Sequence, residues 1–180
     1  PTGILGYGTL TGLLGSDIVS LSGDPVYDNS LVGTKLILVG SLVLSGLNSP
    51  NYRLIWTNGN GTISKKTITV TANNDAKLIT QADPINFDNV NFNGFEGGDT
   101  ASIISGVLSI IRTNNTVEDI GLYSSVLVPS GLTANNYSLN FVNGDFEIVP
   151  ADELLVRVSN QSITYGQLTD FSVISGQYFS

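Results

Sequence analysis

The chain has no cysteine, no histidine and no methionine. Without cysteine there is no disulfide, no thiolate nucleophile and no thiolate metal ligand. Without histidine as well, the common nucleophile–base pairs of hydrolytic enzymes cannot be assembled. Charge is scarce: Asp, Glu, Lys and Arg make up 12% of the 180 residues, against about 25% in an ordinary soluble domain. The seven basic residues are scattered and the net charge is −8. Phosphate backbones are bound by clustered Lys and Arg, so nucleic acid is not an expected partner, nor is anionic lipid. No apolar run reaches the length of a membrane span, and membrane insertion is not expected. The first residues show no basic stretch followed by an apolar one, so no signal peptide is read there.

Hydrophobic residues make up 41% of the chain, enough to bury real cores. Asn, Ser, Thr and Gly take the place of the missing charges on its surfaces. A thiol-free, Lys-poor, Asn/Gly/Thr-rich composition fits a long bacterial surface protein that crosses an oxidising periplasm, so an extracellular location is expected.

The strongest signal is internal repetition. Ser45-Gly46-Leu47, Asn51-Tyr52, Asn58-Gly59 and Ile63 recur as Ser130-Gly131-Leu132, Asn136-Tyr137, Asn143-Gly144 and Ile148, all at one constant offset and with no gap. Tyr137, Leu139 and Phe141 alternate with Ser138 and Asn140, the period of a half-buried strand, and Tyr52, Leu54 and Trp56 match them. Asn-Gly then predicts a tight hairpin turn, with return strands over 61–71 and 145–149.

Upstream, Gly15-Ser16-Asp17 before Ile18–Gly23 predicts a capped helical turn. Its counterpart is 97–106, at a slightly shorter offset than the one carrying Ser45 to Ser130. Strands are expected at 34–39, 42–44, 107–112 and 122–128, with 67–71 closing the first module. The fold expected is mostly β: tandem small modules of about 80 residues, each with one short helical turn. Residues 1–72 form a module lacking its first strands, 73–153 a complete one, and 154–180 the start of a third.

The motifs Ile163-Thr164-Tyr165-Gly166, Gly97-Gly98-Asp99-Thr100-Ala101-Ser102, Ser130-Gly131-Leu132 with Asn136-Tyr137, and Asn143-Gly144 resemble the MBG repeats. These mostly-β, glycine-rich domains occur in large bacterial surface and secreted adhesins, including filamentous-haemagglutinin-like exoproteins. The chain departs from the pattern at Gln81-Ala82, in place of Tyr-Gly, and Gly61 stands where the second copy has Phe146. The resemblance implies an extracellular stalk or spacer, or a multivalent adhesive module in surface or biofilm attachment, and not an enzyme. An alternative is a self-assembling fibre in which neighbouring chains complete each other's split modules by strand addition.

Candidate sites are few. Asp99, Glu118, Asp119, Asp145 and Glu147 offer carboxylates for glycoside chemistry, but none sits in a motif, and caps or solvated faces explain them. Calcium wants several oxygen ligands, and Asn73, Asn74, Asp75, Asp152 and Glu153 at the module joints could supply them. For a polysaccharide or a host surface, Trp56 and Tyr123 are the aromatics to consider, although Phe141 in place of Trp56 points to a core position.

Overall fold

A computed structural model describes residues 10–152; Glu153 and the third module expected over 154–180 lie outside them. The chain divides into two compact units between Lys65 and Lys66. It is mostly β, as the alternating pattern requires.

The first unit contains β1 (Ser20–Ser22), β2 (Val26–Tyr27), β3 (Gly33–Leu38), β4 (Val43–Ser45) and β5 (Gly59–Ile63). β1 pairs antiparallel with β4, while β2, β3 and β5 form an antiparallel sheet in that order. The helical turn expected over 18–23 is instead β1, because Ser20–Ser22 finds a ladder partner in Val43–Ser45. The unit's helical turn is the 3-10 turn Ser49–Asn51, where Pro50 sits early enough that its missing N–H costs no bond.

The second unit contains β6 (Lys66–Ala72), β7 (Asp75–Leu78), β8 (Val90–Asn93), β9 (Ser105–Arg112), β10 (Gly121–Thr133), β11 (Tyr137–Val142) and β12 (Gly144–Val149). One sheet runs β7-β12-β10-β9 and the other β11-β6-β8. The 3-10 turn Ala101–Ile103 is capped by Thr100, whose hydroxyl accepts the Ser102 N–H. Ile68, Val70 and Ala72 alternate inward along β6. Ile68, Val70, Val90 and Tyr137 form one cluster, onto which Leu108, Ile110 and Leu132 of the other sheet pack. Ala72, Leu127, Phe146 and Ile148 form a second. Burying side chains of this kind contributes roughly 1.5–3 kcal/mol each.

Three strand expectations change. Thr67–Thr71 does not close the first module: it lies in β6, between β11 and β8. β11 and β12 are not a hairpin, since β11 pairs parallel with β6 and β12 lies in the other sheet. Asn143-Gly144 therefore carries the chain between sheets. Gly144 is required for space, because a Cβ there would stand 2.7 Å from the carbonyl oxygens of Ala72 and Asn73. In the first unit, Tyr52–Trp56 keeps its alternating exposure but joins no ladder among the described residues.

Candidate functional site

The proposed ligand residues are tied into the fold. The Asn73 amide donates to the Asp88 carbonyl and accepts from Asn91 Nδ2 at 2.8 Å. Asn74 Oδ1 accepts the Asp145 N–H at 2.8 Å. Asp75 is buried in β7, and its Oδ1 takes the Ala76 N–H at 2.7 Å. Asp152 follows β12, which runs parallel to β7 with Phe146 beside Asp75 and Val149 beside Leu78. Asp152 therefore lies past the end of β7 opposite to Asn73–Asp75, as residues of two separate joints would, and Glu153 lies outside the described residues. Among the described residues, no group of three or more acidic, His or Cys side chains is arranged to hold a metal.

The aromatics are anchored too. Trp56 is half-buried, and its indole N–H donates to the Ile37 carbonyl at 3.2 Å. Tyr123 packs beside the Phe146 cluster and its hydroxyl donates to the Asp119 carbonyl at 2.7 Å.

What the two units hold in common is a latch. Tyr52 Oη donates to Asp17 Oδ2 at 2.7 Å and accepts the Leu14 N–H at 3.0 Å. Tyr137 Oη donates to Asp99 Oδ2 at 2.6 Å and accepts the Glu96 N–H at 3.3 Å. The Asp17 and Asp99 N–H groups turn back onto the Leu14 and Glu96 carbonyls. Each latch thus pins the glycine-rich turn to the strand-like segment beginning at the repeated tyrosine. Donation to a carboxylate favours the neutral phenol, so both hydroxyls titrate above the ordinary tyrosine value. Because the folded value is raised, the latch's contribution is complete below the unfolded value of about 10. It is lost as pH climbs through the folded one. Phenolate absorbance should therefore show Tyr52 and Tyr137 titrating late in the wild type. Asp17→Asn or Asp99→Asn should each return one of them to the ordinary range.

A second feature belongs to the second unit alone and has no motif in the sequence. Arg112, with a side chain 1% exposed, bonds Asp83 through Nε at 2.8 Å and Glu118 through Nη2 at 2.7 Å. It also donates to the Val117 and Asn115 carbonyls and lies 4.9 Å from the Phe146 ring centroid. The nearly buried Lys77 pairs with Asp83 at 3.0 Å and with Glu118. Burial opposes the charge on Lys77, but hydrogen bonds and attraction from Glu118 and Asp83 outweigh it, and its pKa lies above the usual lysine value. Burial likewise works against the Asp83 carboxylate, and Lys77 and Arg112 more than reverse it. For Glu118 the Lys77 hydrogen bond dominates; both carboxyls are held below their usual range. The network joins β7, β9 and the loops 79–89 and 113–120.

The first unit solves the same space differently. At the offset that carries Ser45 to Ser130, Arg112 and Phe146 correspond to Tyr27 and Gly61. A Cβ on Gly61 would meet the Tyr27 ring at 2.4 Å, so in one unit a ring from β2 fills the place that a ring from β12 fills in the other. The Gly61 departure is thereby explained: bulk has moved from one strand to another. Each unit sets an isoleucine of this strand opposite a glycine, Ile63 opposite Gly33 and Ile148 opposite Gly121, although the two glycines lie farther apart in the chain than that offset.

Residues 68–147 match the family model of the MBG domain (YGX type), despite Gln81-Ala82. No curated protein and no solved structure matches the chain. MBG domains are associated with extracellular bacterial repeat proteins and are typical of bacterial surface proteins, and among the described residues no helix is long and apolar enough to cross a membrane. The matched stretch runs from β6 to β12, with the latch and the charged network inside it: residues 68–147 are an MBG domain of the YGX type.

Proposed function

We propose that this chain is an extracellular tandem-repeat segment of a bacterial adhesin and that it acts as a stalk, spacing a binding region away from the cell. It has no catalytic role in this reading. The observation that carries it is what the two units share. The latch Tyr52–Asp17 recurs as Tyr137–Asp99 with the same hydrogen-bonding groups. The residues offered for ligand contact do not recur: Phe141 stands for Trp56, and Lys35, opposite Gly61 as Tyr123 is opposite Phe146, stands for Tyr123. Multivalent adhesion gains strength by repeating the same contact. Here the framework is repeated and the candidate contacts vary.

The test is an array of glycans and host matrix proteins probed with the chain, with and without calcium, its fold checked by circular dichroism. No binding in either condition is expected. Reproducible binding abolished by Trp56→Ala or Tyr123→Ala would overturn the stalk reading in favour of an adhesive module. Calcium-dependent binding would do the same and direct attention to Asn73, Asn74, Asp75, Asp152 and Glu153.

A further inference from the structure

Among the described residues, the two sheets of the second unit have four outer strands, β7 and β9 on one, β11 and β8 on the other. An outer strand presents unpaired N–H and C=O groups, and proteins blunt such edges with charge, shortness or proline. β7 and β8 have four residues each, and β7 carries Asp75 and Lys77. β11 turns Ser138 and Asn140 outward. β9 has none of these devices. It is eight residues long, its stretch 107–111 holds no charge and no proline, and β10 is its one ladder partner among the described residues. On its outward face Val107 is 83% and Ile111 57% exposed.

The first unit treats the corresponding edge differently. The strand beside β3 and β4 is there split into β2 and β1, with Gly23, Asp24 and Pro25 between them. Ser41 fastens that break, donating its N–H to the Asp24 carbonyl at 3.0 Å and accepting the Asp24 N–H on Oγ at 2.9 Å. A charge and a proline interrupt one edge, while the other runs on.

Val107-Leu108-Ser109-Ile110-Ile111 reads the same by residue class in both directions. Two copies set antiparallel about a two-fold axis at Ser109, normal to the sheet, place Val107 against the second copy's Ile111 and Leu108 against its Ile110. Such an axis keeps the inward faces on one side, so Leu108 and Ile110, which pack on the core cluster, meet apolar neighbours. The exposed Val107 and Ile111 cover each other, and no like charges come opposite along the paired stretch.

We propose that β9 is a pairing edge for a second copy of this chain, joining two four-stranded sheets into one. The contact is one strand wide, smaller than the roughly 1,200 Å² of a stable complex, so the pairing is weak and depends on concentration. The proposal rests on the edge of the second unit and not on the stalk role.

Sedimentation velocity of the whole chain, from about 10 μM to about 1 mM, spans the range of such weak association. The expected result is a weight-average mass that rises from one chain towards two. Amide exchange over 107–111 should slow by about threefold or more as it does so. Ser109→Lys sets two ammonium groups together at the axis and should hold the chain monomeric. Val107→Lys with Ile111→Lys should do the same. Val107→Lys with Ile111→Glu should pair again, because the antiparallel register sets each lysine against a glutamate. All three variants alter exposed positions, and circular dichroism checks their fold. A single-chain mass throughout the range would overturn the proposal. So would a dimer that survives Ser109→Lys, or a lysine–glutamate variant that fails to pair. Growth beyond two chains would overturn it as well, because a two-fold edge closes on itself.

Discussion

Replacing Arg112 with methionine is expected to destabilise the second unit by about 3–5 kcal/mol, the cost of breaking a buried ion pair from one side. The guanidinium is almost wholly enclosed and bonds two carboxylates and two carbonyls. Methionine fills much of the volume but leaves Asp83 to face Lys77 alone and the two carbonyls without their donor. A loss of this size should lower the unit's melting temperature by more than about 10 °C, while Trp56 emission, which reads the first unit, stays in place. The pH profile gives an independent check. Both carboxyls of the network have depressed pKa values, so their stabilisation is complete above the unfolded carboxylate range near about 4. It disappears as pH falls through the lower folded values. Lys77, with a raised value, contributes below its unfolded value and loses that contribution at still higher pH. The variant should therefore show a flatter acid limb than the wild type. A melting temperature within a degree or two of wild type would mean that the network is not what holds these loops.

Phe146→Ala should cost about 3–5 kcal/mol. Phe146 is fully buried, sits edge-on to Phe87 at 5.8 Å between ring centroids, and carries Arg112 over its face. Its removal opens a cavity and strips the guanidinium of its apolar support. Because the two residues touch, the losses in Phe146→Ala and Arg112→Met should not add, and a double-mutant cycle should return a coupling of about 0.5–3 kcal/mol. Urea unfolding followed by circular dichroism measures both. Additive losses would show that the ring and the cation act separately.

The sequence carried the fold class because apolar alternation and a fixed repeat period are local and countable. Strand partners were less legible. Asn143-Gly144 has the composition of a hairpin turn, yet Gly144 is there because two carbonyls pass close by, a tertiary constraint that no local pattern encodes. Thr67–Thr71 follows the first unit directly in the chain, but its partner β11 begins only at Tyr137, after every other strand of the second unit except β12. The latch was half visible: Tyr52 and Asp17 both recur, although at slightly different offsets, and nothing in the sequence says that they touch. Arg112, Lys77, Asp83 and Glu118 carried no motif. The available signal was a paired change between copies, Tyr27 with Gly61 against Arg112 with Phe146, at one offset. Trp56 and Tyr123 were legible only as aromatic residue types; that their polar ends donate to the Ile37 and Asp119 carbonyls is a tertiary contact no local pattern encodes.

The parallel pairing at the two ends of the MBG domain governs how it would bear a pull. Its first strands, β6 and β7, lie alongside its last, β11 and β12, in the same direction. Tension applied through the chain at Lys66 and Val149 drags each pair lengthwise in opposite senses. The slanted bonds of a parallel ladder are then loaded together in shear rather than opened one after another like a zip. Release requires several hydrogen bonds and the interlocked row of Ile68, Val70 and Phe141 to give way at once. A repeat built in this way stays closed under a load that would peel an end-to-end hairpin apart.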